Sequence, residues 1–250
     1  TLPDVAVFWR PGCSSCLKVK EFMEQTEIPF DSVNVMEREG AMEEITAAGL
    51  MSIPAVRKNG KYIYAQSLDD VAALVGARRN HKRLSNDAML DRWDPILTTA
   101  RQIIAQFSDE DLETNAIPKR QRTLKKVSVH IFQIAIAFRR QIQDGVTEIK
   151  PIQGYMDPNI RNKADVLAFA EKTQAEFGTW LASAGRAAIT DRLKTYYGEQ
   201  DSGQVIERAV WHCAQHTRQL DVVAVGRLGA EFVASPELYD GLPLPARIWA

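Results

Sequence analysis

At 250 residues the chain has room for one large domain or two modest ones. A formal net charge of −1, with 45% hydrophobic and 25% charged residues, is ordinary for a globular protein and offers no whole-molecule attraction to nucleic acid or to anionic membranes. No apolar run approaches the ~18 residues that span a bilayer, and no basic stretch leads into an apolar core at the start, so the expectation is a cytoplasmic protein without a signal peptide. Thr1 is not a methionine, which leaves processing or trimming before it open. Three cysteines, two of them in one C-x-x-C, are too few for a disulfide scaffold and fit a catalytic pair in a reducing compartment.

The first 78 residues alternate between strand and helix patterns. Val5-Ala6-Val7-Phe8-Trp9 is a short apolar run that stops at Pro11-Gly12, as a buried strand should. A helix is predicted over 14–25, a second strand over 30–35 and a second helix over 39–48. Pro54-Ala55-Val56 and Lys61-Tyr62-Ile63-Tyr64 flank Asn59-Gly60, a strong hairpin signal. Ser67 caps a last helix through Val75, with Asp69 and Asp70 in its first turn. The order is βαβαββα. Arg78-Arg79-Asn80-His81-Lys82-Arg83 is basic but lacks interleaved aromatics, and it reads as a solvated connection rather than a nucleic-acid patch. Domains are therefore placed at 1–78 and 85–250, with a linker over 79–84.

After residue 84 the strand pattern stops. Four amphipathic helices are predicted over 86–107, 124–142, 163–183 and 204–228, separated by turn residues that include Pro118, Asp144-Gly145 and Tyr197-Gly198. Four helices of about 20 residues, ~30 Å each, are the ingredients of an all-α four-helix bundle. Pro236, Pro243 and Pro245 mark the tail from 235 as a surface segment. The fold class is thus two domains, α/β thioredoxin-like and then a four-helix bundle.

Cys13-Ser14-Ser15-Cys16 falls at a strand-to-helix junction. There the helix dipole and unpaired N–H groups favour a thiolate on Cys13, Arg10 can add positive charge, and Cys16 is one turn away to resolve a mixed disulfide. No second cysteine pair exists to complete a zinc site of four thiolates. The segment Val7-Phe8-Trp9-Arg10-Pro11-Gly12-Cys13-Ser14-Ser15-Cys16, with Ser52-Ile53-Pro54 and the acidic pair Asp69-Asp70, resembles the glutaredoxins. The resemblance implies a cis bond before Pro54 and a thiol site for glutathione, or another low-molecular-weight thiol, at Arg10, Ile53, Pro54, Asp69 and Asp70. The sequence departs from that family in lacking Gly-Gly before the last helix and in carrying Ser14-Ser15 in place of Pro-Tyr.

Three of the four histidines lie on apolar stripes of the bundle helices. Val205, Ala209, His212, His216, Leu220 and Val223 share one face of the last helix, and Val127, His130, Ile134 and Ala137 share a face of the second. Three buried imidazoles without partners are costly, and a divalent metal supplies the partner while three nitrogens leave coordination positions open. His130, His212 and His216 are therefore the candidate ligands for zinc, nickel or iron. Cys213 reads as a packed small residue and His81 as solvated. His130, Trp211-His212-Cys213-Ala214-Gln215-His216 and the ending Gly241-Leu242-Pro243-Leu244-Pro245-Ala246-Arg247-Ile248-Trp249 resemble the DinB/YfiT-like family. That likeness implies a metal that activates a small thiol.

Both halves handle thiols. The leading reading is an enzyme joining a dithiol oxidoreductase to a metal-dependent thiol S-transferase or thiol-adduct-processing domain. Its partners would be a small-molecule thiol and an electrophile or disulfide, with no nucleic acid and no membrane; a homodimer stays open. The alternatives are a redox sensor or metal-handling protein, and a redox enzyme whose bundle serves only for docking.

Overall fold

Val5, Ala6, Val7 and Phe8 are all buried because the strand they form, β1 (Val5–Trp9), is covered on both faces. Side chains alternate across a strand, so Val5 and Val7 join Val19, Phe22, Met23, Val71 and Val75 on one side. Ala6 and Phe8 meet Val33, Ala41, Ile45 and Leu50 on the other. Apart from Leu50, which follows α2, these partners come from α1 (Ser14–Gln25), β2 (Phe30–Asn34), α2 (Ala41–Ala47) and, beyond the hairpin of β3 (Ala55–Lys58) and β4 (Lys61–Tyr64), α3 (Leu68–Val75). The sheet order is β2-β1-β3-β4, with β1 parallel to β2 and antiparallel to β3. Asn59 and Gly60 both take positive φ, 49° and 71°, as a two-residue hairpin turn requires.

The computed structural model describes residues 3–117, 120–229 and 234–250. It divides into two compact units, one running to Lys82 and including Pro245–Ala250, the other Arg83–Leu244. Within the first unit the chain end is tied to α1. The Ala246 and Arg247 N–H groups donate to the Glu21 carboxylate at 2.7 and 2.9 Å, and the Arg247 guanidinium reaches Glu24 at 2.9 Å.

The second unit is mostly helical. Its elements are α4 (Asn86–Asp91), α5 (Trp93–Gln106), α6 (Asp109–Glu113), the strand pair β5 (Asn115–Ile117) and β6 (Arg120–Thr123), α7 (Leu124–Asp144), α8 (Lys150–Gly154) and α9 (Lys163–Trp180). There follow α10 (Arg186–Ala188), the strand pair β7 (Arg192–Thr195) and β8 (Gly198–Asp201), and α11 (Ser202–Leu228). The long helices α5, α9, α7 and α11 form a ring in which each packs on the next and α11 returns to α5. Trp93 of α5 is fully buried at the centre, its ring 5.0 Å from Phe138 of α7 and 4.7 Å from Phe177 of α9.

Three local expectations need correction. The helix predicted over 86–107 is two helices that meet at Arg92, because Pro95 has no N–H to give the Asp91 carbonyl and its ring crowds that position. The strand pattern does not stop at 84: β5–β6 and β7–β8 are short antiparallel pairs. Strands of three or four mostly polar residues carry too little alternation to be legible, and β7–β8 is set by its turn, where Thr195 Oγ1 donates to the Gly198 carbonyl at 2.7 Å. Beyond Trp180, α9 runs through one π-helical turn, Leu181–Gly185, into α10. Pro118 lies outside the described residues. No helix among those described is long and apolar enough to cross a membrane.

Candidate redox and metal centres

Cys13 is the N-cap of α1. Its backbone is extended, and its Sγ accepts the Cys16 N–H at 3.2 Å, so the sulfur sits where a helix offers unpaired donors and positive potential. The two cysteines are joined as a disulfide, with Cα atoms 5.2 Å apart. Cys16 is fully buried, whereas Cys13 keeps part of its surface. On reduction, Cys13 should therefore be alkylated first at mildly acidic pH, with a pKa inside the range of about 3.5–7.5 found for helix-terminal thiols. Peptide mapping checks this, and preferential labelling of Cys16 would reverse the two roles.

The Ile53–Pro54 peptide is cis. Ala55 pairs with Phe8 across the sheet, so the preceding proline reaches the same sheet end from which β1 leads to Cys13. β4 also finishes there, with Tyr64 paired to Ala55, and delivers the start of α3. Ser67 Oγ caps that helix by accepting the Asp70 N–H at 3.2 Å. Asp69 and Asp70 are exposed, but Asp69 already accepts from the Arg79 guanidinium at 2.9 Å. A ligand amine at Asp69 would therefore compete with Arg79. Arg10 is exposed, and Ile53 is half-buried.

In the bundle, α7 supplies His130 and α11 supplies His212 and His216, one turn apart. His212 and His216 are buried, and His130 keeps a small exposed edge. One nitrogen from each of the three lies within 4.8 Å of the others, and no other such group of histidine, cysteine or carboxylate ligands occurs among the described residues. The ring centroids are 4.8–5.3 Å apart. His212 Nε2 and His216 Nε2 are separated by 3.2 Å. Two nitrogens at about 2.0–2.1 Å from a tetrahedral ion would be about 3.3 Å apart. The opposite ring edges are fixed from outside the cluster: His130 Nδ1 donates to the Gln153 carbonyl at 2.8 Å and His216 Nδ1 to Gln219 Oε1 at 2.7 Å. With Nδ1 holding the proton, each Nε2 presents its lone pair to the cluster, the arrangement that outer-shell partners impose on ligating imidazoles. His212 Nδ1 is buried without a hydrogen-bond partner.

Burial holds all three imidazoles neutral, which is the form that ligates. It pushes His130 down to about 3, with Arg122, Arg120 and Arg208 acting in the same direction and the Gln153 carbonyl opposing. Burial also lowers His212 and His216 well below the usual histidine value, with their neighbouring imidazoles and Arg122 contributing. The donor set, the spacing and the protonation state together fit a divalent metal. Cys213, next to His212 in sequence, instead points away: its thiol donates to the Ile131 carbonyl at 3.3 Å, and burial pushes its pKa up.

The sequence reading missed the groups around the histidines. Gln219 is three residues after His216 and Arg208 four before His212, so helical spacing could have flagged both. Gln153 acts through its backbone and leaves no side-chain signal. Arg120 and Arg122 belong to a strand that was itself missed.

Comparison with known families agrees with the geometry. The glutaredoxin family profile matches residues 5–63, which include Cys13, Cys16 and Pro54 but stop short of Asp69. The DinB superfamily profile matches residues 99–220, which include His130, His212 and His216. No curated protein matches the chain. The chain thus joins an amino-terminal glutaredoxin-family domain to a carboxyl-terminal DinB-superfamily domain that carries a candidate metal-binding cluster.

Proposed function

We propose that the chain is a thiol-handling enzyme in which a dithiol oxidoreductase is coupled to a metal-dependent S-transferase or thiol-adduct-processing centre. The observation that carries this reading is the gathering of three neutral imidazoles inside the bundle of the same chain that holds a helix-capping cysteine pair.

In the first domain the Cys13 thiolate attacks a disulfide, forms a mixed disulfide and releases one thiol. Cys16 then attacks Cys13 Sγ, releases the second thiol and leaves the Cys13–Cys16 disulfide. Two equivalents of a small thiol such as glutathione, oxidised together to their own disulfide, restore the pair. Arg10, Ile53, Pro54, Asp69 and Asp70 are the residues we assign to holding that thiol. In the second domain His130, His212 and His216 would hold zinc, nickel or iron, with Gln153 and Gln219 fixing the rings. A bound divalent ion supplies a site for thiol sulfur and lowers the pKa of that thiol, giving a nucleophile at neutral pH. The burial of His212 and His216 would limit the access of water to a thiol held there.

The test is to incubate metal-loaded protein with small thiols and a panel of electrophiles, beside the His212→Ala and Cys13→Ser variants. Thiol consumption lost only in His212→Ala supports the transferase. Activity lost only in Cys13→Ser reduces the protein to a disulfide reductase and removes the bundle from the chemistry.

A further inference from the structure

His216 and His130 are oriented in different ways. The partner of His216, Gln219, stands three residues on along the same helix, so α11 fixes both. The partner of His130 is the carbonyl of Gln153, which belongs to α8, a helix of five residues. Helices shorter than about 12 residues are marginal on their own, and the last four carbonyls of a helix have no partner within it. A carbonyl near the end of α8 can therefore orient an imidazole only if something outside α8 holds it still.

Gln133 is placed to do so. It lies three residues after His130 on α7, so the two side chains leave neighbouring positions of one helix face, and it is buried. Its Nε2 donates to the carbonyl of Tyr155, two residues beyond Gln153. α7 thus grips the end of α8 with two side chains, His130 on the Gln153 carbonyl at 2.8 Å and Gln133 on that of Tyr155. Side-chain packing contributes little to holding this stretch. The residue between the two carbonyls is Gly154, where a Cβ would meet nothing within 4 Å, and Tyr155 is 60% exposed. Glycine is also the least restricted residue in its backbone angles. The start of α8 is secured separately, by the buried Ile149. A buried amide keeps its hydrogen bond because leaving it unmade costs the desolvation of the group, so the Gln133 bond should persist.

We propose that Gln133 is a positioning residue for His130. By holding the Tyr155 carbonyl it keeps the Gln153 carbonyl on His130 Nδ1, and so keeps the Nε2 lone pair turned towards His212 and His216. This deepens the reading of the cluster as a metal centre and rests on it for the effect on a metal, but the ring's orientation is measured without metal and without turnover.

The experiment compares full-length, isotope-labelled, metal-free protein with Gln133→Met, which keeps the side-chain length and removes the donor. Long-range proton–nitrogen spectra give the tautomer of each imidazole and the exchange of its Nδ1 proton with solvent. In the parent, His130 and His216 should both carry the proton on Nδ1. Gln133→Met should speed exchange of the His130 proton by about tenfold or more, through local opening, and should mix the His130 tautomers. His216, held by Gln219, should stay as in the parent and serves as the internal control. Zinc affinity, read by competition with a chromophoric chelator, should fall by about tenfold, the low end of outer-shell losses. A folded Gln133→Met protein whose His130 keeps the parent's tautomer and exchange rate would overturn the proposal. Equal loosening of His130 and His216 would overturn it too, because it would mark Gln133 as a general core residue. Gln133→Ala is read by the same criteria if the methionine variant does not fold. A change confined to His130 supports the positioning role even if no thiol is ever turned over, so failure here and failure of the transferase reading are separable.

Discussion

Alanine at His130, His212 or His216 is expected to weaken divalent-metal binding by about 100-fold or more, because each substitution deletes a ligand. Loss of an outer-shell partner typically costs about 10–100-fold, so Gln219→Ala should fall in that smaller range. His81→Ala should bind as the parent does, since His81 is no part of the cluster. Titration against a chromophoric chelator, with metal analysis of protein prepared without chelators, measures both effects. Protein that contains no stoichiometric metal and takes none up would remove the centre altogether. The bundle should stay folded when the metal is withdrawn, because its core is built elsewhere, from Trp93, Phe138, Phe177 and the buried faces of α7 and α11. In that respect it should differ from small zinc domains that unfold without their ion.

The second large effect is acid sensitivity of the metal-free bundle. His130 is held down to about 3 in the native state, whereas an unfolded chain leaves it near 6.5. Between those values the unfolded state binds the extra proton, so stability rises with pH. It is fully present above about 6.5 and is lost progressively as the pH falls towards 3. At pH 5 His130 alone should cost about 2 kcal/mol relative to pH 7.5, which lowers the melting temperature of a bundle this size by roughly 4–8 °C. His212 and His216 are shifted the same way, mainly by burial, and steepen the loss. Thermal melts from pH 7.5 to 5 should show this slope, and His130→Gln should flatten it. An unchanged slope in His130→Gln would show that the imidazole does not resist protonation in the native bundle.

Where the sequence reading was accurate, the physics was local. The Cys13 cap, the Asn59-Gly60 turn and the Ser67 cap each depend on a few consecutive residues, and each is found where the pattern put it. The buried face of α11 was legible for the same reason, since helical periodicity fixes which residues share a stripe. Where the reading fell short, the signal was weak or lay elsewhere in the chain. Pro95 splits the first long helix through a single missing donor within an otherwise helical pattern. The two strand pairs are too short and too polar to announce themselves.

The sequence by itself determined that this chain holds a redox cysteine pair at a helix start and three histidines on inward stripes of a helical bundle. Backbone propensity and side-chain period are properties of neighbours along the chain. Only the tertiary structure decided that α7 and α11 pack against each other so that His130 meets His212 and His216. It also decided that a backbone carbonyl from α8 and the side chain of Gln219 orient the rings. A ligand set assembled across 86 residues of sequence, from His130 to His216, depends on which helix faces meet, and the packing of the whole core settles that.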